Sequence, residues 1–230
     1  MSEPVFPLLI LMPGMDGSGL LYQPLGEKLQ QLELPFVIEP LNPHQDKWAY
    51  IEYLEQKYPA QPLVLVAESY AGHIATLMAI RGNLDIQKIV LMATFLETPT
   101  KLTQLEKLLP TSLIQKPPLP NLLLGKALFG KNSSQELLDL FFQAMDDVSS
   151  EQLSERIRDM RHLTAPTEQL SIPALYIQAS DDWLVPARNY QPFKKVFTHL
   201  GFSQLNGSHL IAQTQPRQCA FLIESFVKKA

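Results

Sequence analysis

Unbroken apolar runs alternate along this chain with the wider spacing of amphipathic helices. Residues 5–12 form an apolar run of the kind expected of a strand covered on both faces. Over residues 20–32, Leu21, Leu25, Leu29 and Leu32 return on one helical face. A short strand is predicted over 36–39. A helix follows over 47–58, with Ile51, Leu54 and Tyr58 in register. Then come a buried strand over 63–67, a helix over 70–81 and a strand over 89–93. The rhythm stops there. Residues 95–170 carry no strand pattern, only helical ones over 102–109, 122–129, 134–145 and 151–163. Pro110, Pro117, Pro118, Pro120 and Pro166 punctuate them. Strands resume over 174–179 and 202–205. A helix over 216–229 closes the chain, with Pro216 in its first turn, where a missing N–H costs nothing.

Strands alternating with helices imply a mainly parallel sheet, of about six strands, flanked by helices on both faces: an α/β fold. The core is expected in residues 1–94 and 171–230, with 95–170 inserted as a helical cap. Open sheets of this kind bind ligands beyond the carboxyl ends of their strands. The residues that follow each strand are therefore the place to look for chemistry.

Composition narrows the class. The chain has 230 residues, 46% hydrophobic and 18% charged, which suits a folded core and excludes a disordered or collagen-like chain. A net charge of −4 and the lack of a long basic run argue against nucleic acid as a partner. No apolar segment reaches the roughly 18 residues of a membrane span. Glu3 precedes the first apolar run where a signal peptide carries lysine or arginine. A soluble, cytoplasmic protein is expected. The one cysteine, Cys219, has no partner for a disulfide or a C-x-x-C site and reads as a small buried hydrophobe of the last helix.

Three patches follow predicted strands. After strand 63–67 comes Ala-Glu-Ser-Tyr-Ala-Gly, residues 67 to 72, then a helix. It resembles the nucleophile elbow, G-x-S-x-G, in which a strained turn exposes a serine and crowding demands small neighbours. Here Ala67 and Ala71 replace the glycines and Gly72 follows. The alternative is that Ser69 caps a helix. After strand 174–179 comes Ser-Asp-Asp-Trp-Leu-Val-Pro, residues 180 to 186, which otherwise reads as a turn with an Asx cap. The last strand leads into Asn-Gly-Ser-His-Leu, residues 206 to 210. The first strand ends in Pro-Gly-Met-Asp-Gly-Ser-Gly, residues 13 to 19, whose glycines let backbone approach a ligand closely.

Ser, Asp and His in this chain order, each directly after a strand, resemble the α/β-hydrolase superfamily from the first strand to the last helix, the insertion apart. The resemblance implies Ser69 as nucleophile, His209 as general base and Asp182 as its partner, with Asp181 the neighbouring alternative. The backbone N–H groups of Met15 and Tyr70 are implied as oxyanion donors, with Pro13 where histidine is common. No metal or organic cofactor is implied. The N-terminal hairpin of larger members is not expected. The loop of residues 13–19 and the Glu68–Ser69 pair are also similar to plant phytyl ester synthases and bacterial esterase-like relatives. His44, His162 and His199 are expected on the surface, and His73 on a helix flank.

The implied reaction is cleavage of a small-molecule ester or thioester, with a small or apolar acyl group, through an acyl-enzyme. Amide, carbon–carbon and acyl-transfer chemistry share the same triad, and oligomeric state is left open. Leu122, Leu123, Leu124, Leu128, Phe129, Leu138, Phe141 and Phe142 would line an apolar pocket or dock the inserted helices on the body. Two rival readings compete. A ligand-binding protein could use this fold without chemistry. A nucleotide-dependent oxidoreductase is suggested by the glycines at 14, 17 and 19, by Glu39, and by the Tyr53/Lys57 and Tyr190/Lys194 pairs. The glycine spacing is wrong for that role, however, and Asp182 and His209 go unexplained.

Overall fold

A computed structural model, which describes residues 6–99 and 120–229, turns the apolar runs into parallel strands. They are β1 (Leu8–Met12), β2 (Phe36–Ile38), β3 (Leu63–Glu68), β4 (Ile86–Met92), β5 (Ala174–Ala179) and β6 (Leu200–Leu205). They form one six-stranded sheet in the order β2-β1-β3-β4-β5-β6, every pair parallel. The helices are α1 (Gln23–Gln31), α2 (Lys47–Lys57), α3 (Ala71–Arg81), α4 (Asn121–Phe129), α5 (Gln135–Asp146), α6 (Ser150–Met160), α7 (Tyr190–Val196), the short α8 (Ile211–Thr214) and α9 (Pro216–Lys228). The helix expected over 102–109 lies outside the described residues.

Strand side chains alternate between two cores, as the period of two requires. Ile10, Leu65, Ile89 and Leu91 face a cluster closed by Ile51, Ile74, Met78 and Phe193 of α2, α3 and α7. Leu9, Leu11, Val64, Val66 and Val90 face the opposite cluster, closed by Leu25 and Leu29 of α1 and by Cys219 and Ile223 of α9. Cys219 is fully buried there, and burial raises its thiol pKa, so it is an inert hydrophobe.

The elements differ from expectation mainly at their ends. Residues 20–22 form a 3-10 turn before α1, because Gly19 at φ 83° redirects the chain. β4 starts at Ile86, and its polar Gln87 and Lys88 hid that start. Among the described residues of 95–170 only an isolated bridge from Leu170 to Phe197 has strand character. The insert therefore contributes helices α4 to α6. A small third core joins Leu124, Phe129 and Leu138 of the insert to Leu21 and Leu210 of the body. These residues dock the insert, whereas Leu122 and Leu123 are exposed. No helix among the described residues is long and apolar enough to cross a membrane.

Register fixes where the loops meet. Met12 lies opposite Ala67, Glu68 opposite Met92, and Ala179 opposite Leu205. The loops that follow β1, β3, β5 and β6 thus leave one edge of the sheet. β1 leads to β2 on one side while β3 lies on the other, the switch point at which such sheets bind ligands.

Candidate active site

Ser69 follows β3 directly and takes φ 52°, a left-handed conformation costly for a residue with a Cβ, on the order of 1–3 kcal/mol. Three hydrogen bonds hold it there. Its N–H donates to Met92 O at 3.0 Å, and its carbonyl accepts from Gly72 N–H at 3.2 Å and from the Thr94 hydroxyl. Thr94 is itself aimed by a turn at the end of β4. Ala93 has φ 45°, and Tyr176 Oη donates to Thr94 O at 2.8 Å. The steric squeeze foreseen at Ala71 falls one residue later, where Gly72 packs on Thr94.

His209 bridges the other two patches. Its Nδ1 is 2.8 Å from Asp182 Oδ2 and its Nε2 is 2.9 Å from Ser69 Oγ. A carboxylate only accepts, so Nδ1 carries the proton and Nε2 is left to accept from the serine hydroxyl. Asp182 is locked by its other oxygen, Oδ1, which accepts the N–H groups of Leu184 and Val185 at 3.0 and 2.8 Å. Asp181 instead accepts from the Ser180 hydroxyl at 3.0 Å and is exposed. Of the two carboxylates, Asp182 is the one in contact with His209. Ser69 and Asp182 are 8% exposed and His209 5%, so the chain of hydrogen bonds is shielded from bulk water.

Burial pushes the His209 pKa down, but the charge and hydrogen bond of Asp182 and the charge of Glu68 outweigh it and leave it raised above 6.5. Glu68, beside the serine, is fully buried, and burial lifts its carboxyl to about 7. Its Oε2 accepts from Gln213 Nε2 at 3.0 Å. Among the described residues, Glu68 Oε1 and Gln213 Oε1 have no partner.

The loop between β1 and α1 closes the site. A Cβ on Gly14 would come 3.3 Å from Ser69 Cβ, so the backbone leading to Met15 passes close over the serine. Tyr70 follows the serine and caps α3. Among the described residues, neither the Met15 nor the Tyr70 N–H donates to another protein group. A cleft of about 190 Å³ is lined by Tyr70, His44, Trp48, Arg156 and Asp159, and none of Ser69, Asp182 and His209 is in its lining.

The other histidines lie elsewhere. His162 and His199 are exposed. His44 lies at the surface, half-buried against Tyr50 and Tyr53. His73 sits on α3, and burial drives its pKa down to about 4. Glu39, the acid of the dinucleotide reading, is taken up by Lys57 Nζ at 2.8 Å and by the Tyr58 hydroxyl. Thr94, Gln213 and Arg156 escaped the sequence reading. Only Thr94 had a signal, its place directly after a strand that neighbours the elbow.

Over residues 43–205 the chain matches the family model described as serine aminopeptidase, S33. The stretch contains Ser69 and Asp182 and stops short of His209. No curated protein matches the chain, so its likeness to phytyl ester synthases rests on the two quoted motifs alone. Solved structures share the fold. A lipase-esterase related protein from Clostridium acetobutylicum is 16% identical with a TM-score of 0.76, over 96% of this chain and 94% of that one. The esterase EaEST from Exiguobacterium antarcticum is 12% identical with a TM-score of 0.76, over 97% and 92%. The enol-lactonase from Burkholderia xenovorans is 12% identical with a TM-score of 0.74, over 97% and 92%.

Proposed function

The chain belongs to the serine aminopeptidase S33 family of α/β-hydrolases, and we propose that it is a serine hydrolase of small carboxylic esters or thioesters. The observation that carries this reading is the continuous hydrogen-bond chain from Asp182 through His209 to Ser69, ending on a serine held at a strained φ. Strain of this kind persists where the surroundings impose it, and it presents the hydroxyl at the tip of a turn.

On this reading Ser69 Oγ attacks the carbonyl carbon as its proton passes to His209 Nε2. Asp182 holds the imidazole in its tautomer and stabilises the cation. The amides of Met15 and Tyr70 receive the oxyanion, an interaction of about 3–4 kcal/mol per donor at such sites. Collapse of the intermediate breaks the bond to the leaving oxygen or sulfur, which takes the proton from His209. A water molecule, deprotonated by His209, then releases the acid and restores the serine. The helical insert docks over this edge through Leu124 and Phe129, as a cap would.

The test is to mix the protein with p-nitrophenyl acetate, an acyl thioester and an amino-acid p-nitroanilide, and to trap the intermediate by acid quench. Turnover of the first two with an acyl increment on the peptide containing Ser69 is expected. Turnover of the anilide alone would contradict the ester reading.

A further inference from the structure

The two residues proposed to donate to the oxyanion are gripped from a single helix of the insert. Arg156 and Asp159 lie one turn apart on α6 and therefore share a face. Arg156 Nη1 donates to the carbonyl of Met15 at 2.8 Å. Asp159 Oδ2 accepts the Tyr70 hydroxyl at 2.7 Å, and its Oδ1 pairs with Lys47 Nζ at 2.5 Å. One grip is on the loop that follows β1 and the other on the residue after the nucleophile.

The loop is shaped around the guanidinium. Gly17 has φ 65°, and a Cβ there would fall 2.4 Å from Arg156 Nη1 and 2.4 Å from Asn42 Oδ1. Arg156 Nη2 donates to that same Asn42 Oδ1 at 3.0 Å. Asn42 N–H in turn donates to Gly17 O at 3.0 Å, and the Asn42 carbonyl accepts from Gln152 Nε2, in the first turn of α6, at 2.5 Å. Arg156 is 6% exposed, and a buried cation persists only where it is paired and hydrogen-bonded. The carboxyl groups of Asp16, one residue past Met15, and of Glu155 lie near enough to favour its charge against burial.

We infer that α6 sets the geometry of the oxyanion hole, with Arg156 and Asp159 as positioning residues for the Met15 and Tyr70 amides. The inference rests on the triad reading above. Neither side chain touches the reacting atoms. Each fixes a residue whose N–H must meet the oxyanion, and a shift of about 1 Å in such a group costs about a hundredfold in rate. The insert then does more than cover the site, because its docking completes the catalytic constellation.

A trifluoromethyl ketone tests this, since serine adds to it and places a charged oxygen in the oxyanion hole, whereas the parent methyl ketone only fills the pocket. The variants are Arg156→Met, Arg156→Lys and Asp159→Asn, with folding checked by circular dichroism. For Arg156→Met, kcat/KM on a p-nitrophenyl ester should fall about ten- to a hundredfold, mostly in kcat, and trifluoromethyl ketone affinity should fall in the same proportion. Methyl ketone affinity should change less than about threefold. Arg156→Lys keeps the charge but one ammonium cannot span both acceptors, so it should recover part of the loss. If Arg156→Met does not fold, Arg156→Lys and the more exposed Asp159 site decide. Folded variants that keep trifluoromethyl ketone affinity, or lose both ketones equally, overturn the inference. A wild type that the trifluoromethyl ketone does not inhibit overturns the triad reading, and this inference with it.

Discussion

A Cβ built on Gly72 would lie 2.0 Å from Oγ1 of Thr94. That hydroxyl donates to the carbonyl of Ser69, so helix α3 and the end of β4 touch at the base of the elbow. Gly72→Ala should destabilise the fold by about 1–3 kcal/mol through overpacking and should lower ester turnover more than the folded fraction accounts for. Thr94→Gly in the same chain should restore part of the stability. Urea unfolding of the single and double variants checks this, and additive losses would contradict it.

Asp182→Asn should retain the fold and lose about 10⁴ in kcat, because an amide no longer holds the His209 tautomer. Asp181→Asn should stay within about twofold of wild type, since Asp181 contacts Ser180 and not His209. Steady-state kinetics on one p-nitrophenyl ester distinguishes the two, and equal losses, or the larger loss in Asp181→Asn, would contradict the assignment.

The acid limb of kcat/KM should lie above pH 6.5. Only neutral His209 accepts the serine proton, and Asp182 and Glu68 raise its pKa against the effect of burial. Asp182, the larger of the two influences, is the charge that this limb reports, because Glu68 ionises only near pH 7. A wild-type limb at or below 6.5 would contradict this electrostatic assignment.

Two buried groups should push stability in opposite directions with pH. The Glu68 carboxyl is lifted from 4.5 to about 7, so the folded state keeps a proton that the unfolded chain gives up. Its contribution is complete below pH 4.5 and is lost as pH rises through about 7. His73 is lowered from 6.5 to about 4, so its contribution is present above pH 6.5 and is lost as pH falls towards 4. Each amounts to on the order of 3 kcal/mol. Between about pH 4.5 and 6.5 they offset each other. Glu68→Gln should make stability rise with pH in that window, and His73→Gln should make it fall. Parallel urea-stability curves for the two variants would sink the assignment.

The strands that carry the site were legible because β3 and β5 are buried on both faces, which leaves apolar runs with no competing pattern. That Ser69, Asp182 and His209 would come together was legible for a related reason, since each stands just beyond a strand end. The supports of the site were not. Arg156 sits in a strongly polar helix, where an arginine reads as solvated surface. Its burial depends on the missing Cβ of Gly17, far away in the chain. Glu68 looked like an elbow residue, and only its contact with Gln213 of α8 shows a buried acid. Local patterns report the faces of elements, whereas these pairings arise from how elements cross.

Labelling with a fluorophosphonate tests most directly whether Ser69 is an activated nucleophile. Wild-type protein should label and Ser69→Ala should not. His209→Gln should label far more slowly while keeping the fold. Equal labelling of wild type and Ser69→Ala, or no labelling of folded wild type, would contradict the account.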